Sequence, residues 1–380
     1  RAQEPGMGES VAGEEVAPVE PPHEEIDEAA DQPLPGEDGT GQEEEAAGAQ
    51  VRQPEVAAEP EPLPPQTVAP LPPPVPQPTK PDGHREAVVW LSVSPDGRSV
   101  MSASTDNAIK LWDLESGRLV RDVGTHRDMA RAALFLPDGA RALTTGDDGE
   151  IVLRSVEDGA VLHVFSASEH RSVRSVALSP DGRRAVTGHQ IGTVIAWDIE
   201  NRAVLHVLRG HDWPVNGVAI SPDGKRAISG SIEGTLKLWD LEDGRVLRSW
   251  HGHERGTYGA AFMPDGRHAV TGSGDFTIKL WDLDTWQEVR RFEGHSGTVY
   301  ALALSGDGER ILSGSLDGTA RLWETATGRE ILMLSPHSGS INAVAFAPGG
   351  VMLTGGGDRS IRVWPPEGDR TVAVFPGAPD

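Results

Sequence analysis

Seven histidines stand at almost constant spacing along this 380-residue chain: His84, His126, His170, His211, His253, His295 and His337, at intervals of 42, 44, 41, 42, 42 and 42 residues. A recurrence of this length marks one supersecondary unit repeated, and it constrains the fold more tightly than composition does. About ten residues after each histidine comes a turn: Ser94-Pro95-Asp96-Gly97, Leu136-Pro137-Asp138-Gly139, Ser179-Pro180-Asp181-Gly182, Ser221-Pro222-Asp223-Gly224, Met263-Pro264-Asp265-Gly266, Ser305-Gly306-Asp307-Gly308 and Ala347-Pro348-Gly349-Gly350. Proline presets φ at the second turn position and glycine supplies the positive φ that closes a hairpin. A short apolar run, a second tight turn and an alternating strand follow. That strand ends in Trp112-Asp113, Trp197-Asp198, Trp239-Asp240, Trp281-Asp282, Trp323-Glu324 or Trp364-Pro365, and the second unit has Arg154-Ser155 there. A third turn, such as Glu115-Ser116-Gly117 or Glu242-Asp243-Gly244, leads into a fourth strand such as Arg118–Val123.

Each unit therefore reads as four short antiparallel strands, with period-two alternation and no helical pattern. One such sheet cannot bury both faces, whereas seven arranged around an axis bury each other and leave only short edges. With Gly210-His211, Gly252-His253, Gly294-His295 and the Trp-Asp dipeptides at a 42-residue step, residues 84–380 resemble the WD-repeat β-propeller family. The resemblance implies an all-β, seven-bladed propeller of four-stranded antiparallel blades beginning near 84, 126, 170, 211, 253, 295 and 337. The near-uniform repeats are similar to those common in bacterial multidomain proteins.

The same resemblance implies a buried hydrogen-bond chain of His, Ser or Thr, Asp and Trp in each blade. The residue ten before each Trp position is Ser102, Thr144, Thr187, Ser229, Thr271, Ser313 or Thr354, and six before it stands Asp106, Asp148, Ile191, Glu233, Asp275, Asp317 or Asp358. Indole N–H only donates, carboxylate only accepts, and hydroxyl and imidazole pass the chain along. Complete tetrads are expected at His84/Ser102/Asp106/Trp112, His253/Thr271/Asp275/Trp281, His295/Ser313/Asp317/Trp323 and His337/Thr354/Asp358/Trp364. The second blade lacks the Trp, the third lacks the acid and the fourth substitutes Glu. The second and third blades are thus expected to be the least stable.

A Ser-His-Asp hydrolase reading fails on repetition, because a catalytic triad is normally unique and a motif written seven times is structural. No catalytic residue is assigned. The absence of Cys removes disulfides, thiolate metal sites and Cys nucleophiles. The repeated histidines fall on separate blades with no H-x-x-x-H motif or close acid–histidine cluster, so no metal ligand and no cofactor is expected. His23, His163, His189, His206, His251 and His268 read as surface or strand-end residues.

In similar propellers one face, made by blade-to-blade loops and by the turns between second and third strands, binds partners. Two positions per repeat supply side chains there. The first set is Val89, Arg131, Arg174, Asn216, Tyr258, Tyr300 and Asn342, and the second is Thr105, Asp147, Gln190, Ile232, Gly274, Leu316 and Gly357. Both tyrosines of the chain fall in the first set, on neighbouring blades. With Leu316, Ile232 and the loop residue Trp213 they suggest an apolar-aromatic patch, as against a simple filling of the channel mouth. Arg127, Arg131, Arg171 and Arg174 cluster on blades two and three. They would meet an acidic or phosphorylated segment, hold the chain's own residues 20–45, or form a solvated rim. Among the funnel positions only Asp147 is acidic, which is too few for paired-carboxylate chemistry.

Residues 1–83 differ in kind. They hold 19 acids against 3 basic groups, 18 of the 30 prolines and no Phe, Trp or Tyr. Such a stretch is expected to be disordered, and Pro60 to Pro81 to form an extended polyproline spacer; PxxP spacings at Pro70, Pro73 and Pro76 are a weak ligand signal. The whole-chain charge of −24 disfavours broad nucleic-acid or anionic-membrane binding, and no apolar run is long enough to span a membrane. Arg1 is not an initiator Met. Arg1-Ala2-Gln3 fits either the tail of an A-x-A-like export signal or a cut in a larger protein, with a lean to an extracytoplasmic place over a cytoplasmic one.

Thr371–Phe375, ended by Pro376, makes a better fourth strand for the last blade than the Pro-rich residues before His84 do. Contiguous blades are expected, closed by face packing of blade seven on blade one. The functional expectation is a monomeric, non-enzymatic scaffold that binds a partner protein or peptide. The alternative is a regulatory or sensory module of a larger multidomain protein.

Overall fold

The computed structural model describes residues 83–166, 172–335, 337–368 and 371–378. The expectations for the acidic segment, the polyproline spacer and residues 20–45, and the roles given to His170 and Arg171, lie outside these residues. The described chain forms seven four-stranded antiparallel sheets, each built from consecutive strands. Blade one runs Val88–Val93, Ser99–Ser104, Ala108–Asp113 and Leu119–Thr125.

The proline-aspartate-glycine turns work as their residues dictate. At the first, the Gly97 N–H donates to the Ser94 carbonyl at 2.8 Å with φ of 71° at Gly97. The Ser94 hydroxyl donates to Asp96 Oδ1 at 2.6 Å, and Asp96 in turn accepts from the Arg98 N–H at 3.0 Å. Two short side chains thus satisfy the hairpin's loose backbone groups and fix the pairing register.

The core lies between blades, and the recurrent tryptophans build it. The last apolar residue of one blade's outer strand packs on the Trp of the next. Phe165 meets Trp197 with ring centroids 5.7 Å apart, Trp250 meets Trp281 at 6.0 Å, and Phe292 meets Trp323 at 6.0 Å. Into blade two the contact changes, because Arg154 stands in the Trp place. The outer strand there offers only Val123, and Gly124 leaves the room: a Cβ on Gly124 would lie 2.6 Å from Arg154 Cζ.

Ring closure repeats the same contact. Phe375 of the last strand, Ala373–Phe375, stacks on Trp112 of blade one at 5.6 Å, within a cluster that also holds Val88, Leu91, Val100 and Leu353. That strand is shorter than the expected Thr371–Phe375. It pairs with Ile361–Trp364 of its own blade, so every blade is contiguous. Closure has one element beyond face packing, a backbone clasp in which the Ala378 N–H donates to the His84 carbonyl at 2.7 Å.

Candidate functional site

Every inner strand carries a β-bulge at the same place. In blade one Val88 pairs with Ser104 and Trp90 with Ala103, leaving Val89 without a partner. The same break leaves out Arg131, Arg174, Asn216, Tyr258, Tyr300 and Asn342 in the six other blades. A bulge bends its strand and re-aims the extra side chain. Here all seven re-aimed residues line one central cavity of about 650 Å³. The wall also holds the apolar residues Trp90, Leu91, Val176, Val218, Leu302, Val344 and Phe346.

Going round the mouth from blade two, the side chains run Arg, Arg, Asn, Tyr, Tyr, Asn, Val. Tyr258 and Tyr300 meet edge to face, centroids 5.3 Å apart with planes at 90°. Burial, helped by the neighbouring Tyr300, pushes the Tyr258 phenol above its ordinary value, so it stays a neutral donor. Asn342 reaches across to the Val88 carbonyl at 3.4 Å. Arg131 makes a forked ion pair with Asp147, with Nε 2.8 Å from Oδ1. Burial pushes the Asp147 carboxyl up, but the hydrogen bonds from Arg131 and Ser172 outweigh it and hold the group below the usual carboxylate range. Arg174, one blade on, donates from Nε to the neutral Gln190 Oε1. Burial and the charge of Arg131 push its guanidinium below the ordinary value, and Asp147 partly offsets them.

Of the second set of expected positions, Thr105 and Leu316 join the cavity wall and the others do not. Asp147 and Gln190 stand beside the two arginines as their partners. A Cβ on Gly274 would touch Tyr258, and one on Gly357 would touch Ser340. Trp213, 58% exposed, and Ile232, 41% exposed, lie outside the wall. They are neighbours, since the Ile232 N–H donates to the Pro214 carbonyl at 2.9 Å. Arg127 is a solvent-facing partner of Glu150. Trp90 was not among the expected residues. It alone is large where the other inner strands place Ala, Ser or Gly after the bulge, and its indole N–H has no acceptor.

The expected tetrads come together as hydrogen-bond chains. In blade one the Trp112 N–H donates to Ser102 Oγ at 2.7 Å, Ser102 lies 2.7 Å from His84 Nε2, and His84 Nδ1 lies 3.1 Å from Asp106. Because carboxylate only accepts, Nδ1 carries the proton and the Ser102 O–H donates to Nε2, so protons run one way along the chain. Burial holds the His84 imidazole below its ordinary pKa despite Asp106, and it is neutral. Blades five, six and seven repeat the pattern: Trp281, Thr271, His253 and Asp275; Trp323, Ser313, His295 and Asp317; Trp364, Thr354, His337 and Asp358.

The incomplete blades are repaired in different ways. In blade two the Arg154 guanidinium takes the indole's part, donating to Thr144 Oγ1 at 3.3 Å and to the Thr125 carbonyl at 3.0 Å. In blade three His189, fully buried at its strand end, lies 2.9 Å from Thr187 Oγ1, which also accepts from Trp197 at 2.8 Å. Reading His189 only as a strand-end residue missed this. Blade four stays broken, because Glu233 stops 4.0 Å from His211 and leaves the buried Nδ1 without a partner.

The expectation that no close acid–histidine cluster brings metal ligands together meets one exception among the described residues. The densest group is His126, Asp148 and Glu150, whose donor atoms lie within 4.8 Å of one another. Its atoms are already engaged by Thr144, by the Arg127 N–H and by the Arg127 guanidinium, and two arginines flank it, which suits hydrogen bonding better than cation binding.

The profile described as WD domain, G-beta repeat matches residues 77–113, 159–198, 202–240, 244–282, 286–324 and 328–365. The chain belongs to this WD-repeat family. The blade between the first two matched segments is the one with Arg154. Among relatives, the chain is 35% identical over 94 residues to the guanine nucleotide-binding protein subunit beta of Oryza sativa subsp. japonica, covering 24% of this chain and 25% of that one. It is 31% identical over 81 residues to apoptotic protease-activating factor 1 of Rattus norvegicus, 21% of this chain and 6% of that one. With WD repeat-containing protein 18 of Homo sapiens the identity is 41% over 54 residues, 14% and 12% of the two chains. The chain thus spans a quarter or less of each of these relatives. Among the described residues no helix is long and apolar enough to cross a membrane.

Proposed function

We propose that this WD-repeat propeller is a non-catalytic scaffold that docks a protein or peptide segment at the mouth of its central cavity. Arg131, Arg174, Asn216, Tyr258, Tyr300, Asn342 and Leu316 supply the contacts, and Trp213 an outlying one. The observation that carries the reading is the ring of bulges. The fold spends one unpaired residue per blade on the mouth, and these positions vary between Val, Arg, Asn and Tyr while the turn and tetrad residues stay largely alike. Tyrosine brings large contact area at low entropic cost, and arginine brings directed hydrogen bonding; both are enriched where binding energy concentrates. The tetrads act as register-fixing struts, and no chemistry is assigned to them.

Affinity capture from source-cell extract tests this. The wild-type propeller should retain a discrete partner that the Tyr258→Ala/Tyr300→Ala double variant loses, while Val246→Ala on the exposed outer strand of blade four keeps it. Equal retention by all three would refute the reading.

The second reading, a regulatory or sensory module within a larger multidomain protein, is supported by one relative, rat apoptotic protease-activating factor 1, of which the match covers 6%. The complete reading frame decides it.

A further inference from the structure

The two arginines of the mouth occupy equivalent bulge positions on neighbouring blades but differ in their partners. Arg131 is matched by the carboxylate of Asp147, charge for charge and with two parallel hydrogen bonds. At the equivalent place behind Arg174 stands Gln190, which accepts one hydrogen bond from Nε and offers no charge. Among the described residues no carboxylate comes within ion-pair distance of Arg174, and its two terminal amino groups make no hydrogen bond. The cavity wall itself contains both arginines and no Asp or Glu. Asp147 attracts Arg174 only at longer range, so among the described residues Arg131, Asp147 and Arg174 together leave one net positive charge in a partly buried mouth. On the far side of Asn216 the wall is apolar and aromatic, with Tyr258, Tyr300 and Leu316.

From this we infer that the occupant of the mouth is a short extended segment of a partner protein that presents one carboxylate to Arg174 and an apolar or aromatic side chain to the Tyr258–Tyr300 pair. The inference rests on the docking reading above and adds the chemistry of the partner. A guanidinium offering two parallel N–H donors fits a carboxylate. One net positive charge matches a single negative one. A phosphorylated residue brings close to two, and Arg131, already paired with Asp147, is not free to take the second. Specificity then has two parts: attraction to the acid at blade three, and at blade two a cation already taken up by Asp147 and so closed to excess negative charge.

The probe is a random heptapeptide library displayed on phage, panned against the full chain and three variants. On the wild type, selected peptides should be enriched in Asp or Glu together with an aromatic or large apolar residue. Arg174→Gln should abolish the acid enrichment and weaken a selected peptide about tenfold or more. Gln190→Glu should do the same while leaving the arginine in place, because it supplies the missing counter-charge; this second variant guards against a fold defect at Arg174. Tyr258→Ala/Tyr300→Ala should remove the aromatic enrichment. In a synthetic peptide, replacing the selected acid by glutamine or by phosphoserine should weaken binding in both cases. Peptides that need the tyrosines but are indifferent to the acid would overturn the carboxylate inference and leave the docking reading standing. A tighter phosphoserine peptide would also overturn it. If no selected peptide depends on the mouth residues, both fall.

Discussion

Tyr258 and Tyr300 pack edge to face at 5.3 Å, and each is the extra residue in the bulge of its own inner strand. They are separated by 42 residues in sequence and by one blade in space, so their meeting follows from the repeat itself. A fold that places the same bulge in every blade converts seven sequence positions into one ring of side chains. The rest of the repeat holds that ring rigid.

The broken tetrad of blade four should make the propeller sensitive to acid. Burial, with Lys237 adding to it, pushes the His211 imidazole down to about 3. In the unfolded chain it titrates near its ordinary 6.5, so between these values the unfolded state binds the extra proton. The contribution is complete above about pH 6.5 and drains as pH falls toward 3, with about 2 kcal/mol lost by pH 5. The Glu233→Asp change recreates with Gly234 and Thr235 the order of Asp317, Gly318 and Thr319, whose carboxylate lies 2.8 Å from His295. It should stabilise the fold by about 1 kcal/mol at pH 7 and flatten its acid dependence, read from urea midpoints at pH 7 and pH 5. An unchanged acid slope would mean that His211 is not the group responsible.

Ring closure should depend on one ring contact more than on the last strand's hydrogen bonds. Phe375 is buried and stacked on Trp112, whereas Val374 beside it is 40% exposed. Phe375→Ala is expected to cost about 3 kcal/mol and Val374→Ala less than about 0.5 kcal/mol in chemical denaturation. Similar losses from both would place closure elsewhere, in the Ala378–His84 clasp for instance.

Blade two should open first. It has a guanidinium where its neighbours have an indole, and the preceding strand contributes only Val123 to the junction. Blade-resolved amide exchange should show its strands Ala130–Phe135 and Arg141–Gly146 exchanging before those of blades five and six. Gly124→Ala, which pushes a methyl group into Arg154, should widen that difference by about 1–3 kcal/mol. Uniform protection around the ring would contradict the account.

The fold was readable because its signals are local and repeated: a turn written seven times and a Trp at one fixed offset leave no other architecture open. The mouth was readable in part. Val89, Arg131, Arg174, Asn216, Tyr258, Tyr300 and Asn342 occupy one repeat position, and the small residue after six of them marks the bulge. Pairings that depend on side-chain reach were not readable. Glu233 and Asp317 differ by one methylene, and only coordinates reveal that the longer acid stops short of its histidine. His189 enters blade three's network from the strand of its own acceptor, two residues away, a geometry the other blades do not use. Trp90 broke the repeat in plain view, yet the sequence alone did not tie it to the cavity wall.

The central claim, that a partner occupies the mouth of the ring, is tested most directly by site-specific photocrosslinking. A benzophenone amino acid placed at Leu316, on the wall beside the tyrosines, should trap one discrete adduct in source-cell extract, and the same probe at Val246 on the outer edge should trap none. Adducts formed from Val246 and not from Leu316 would contradict the account.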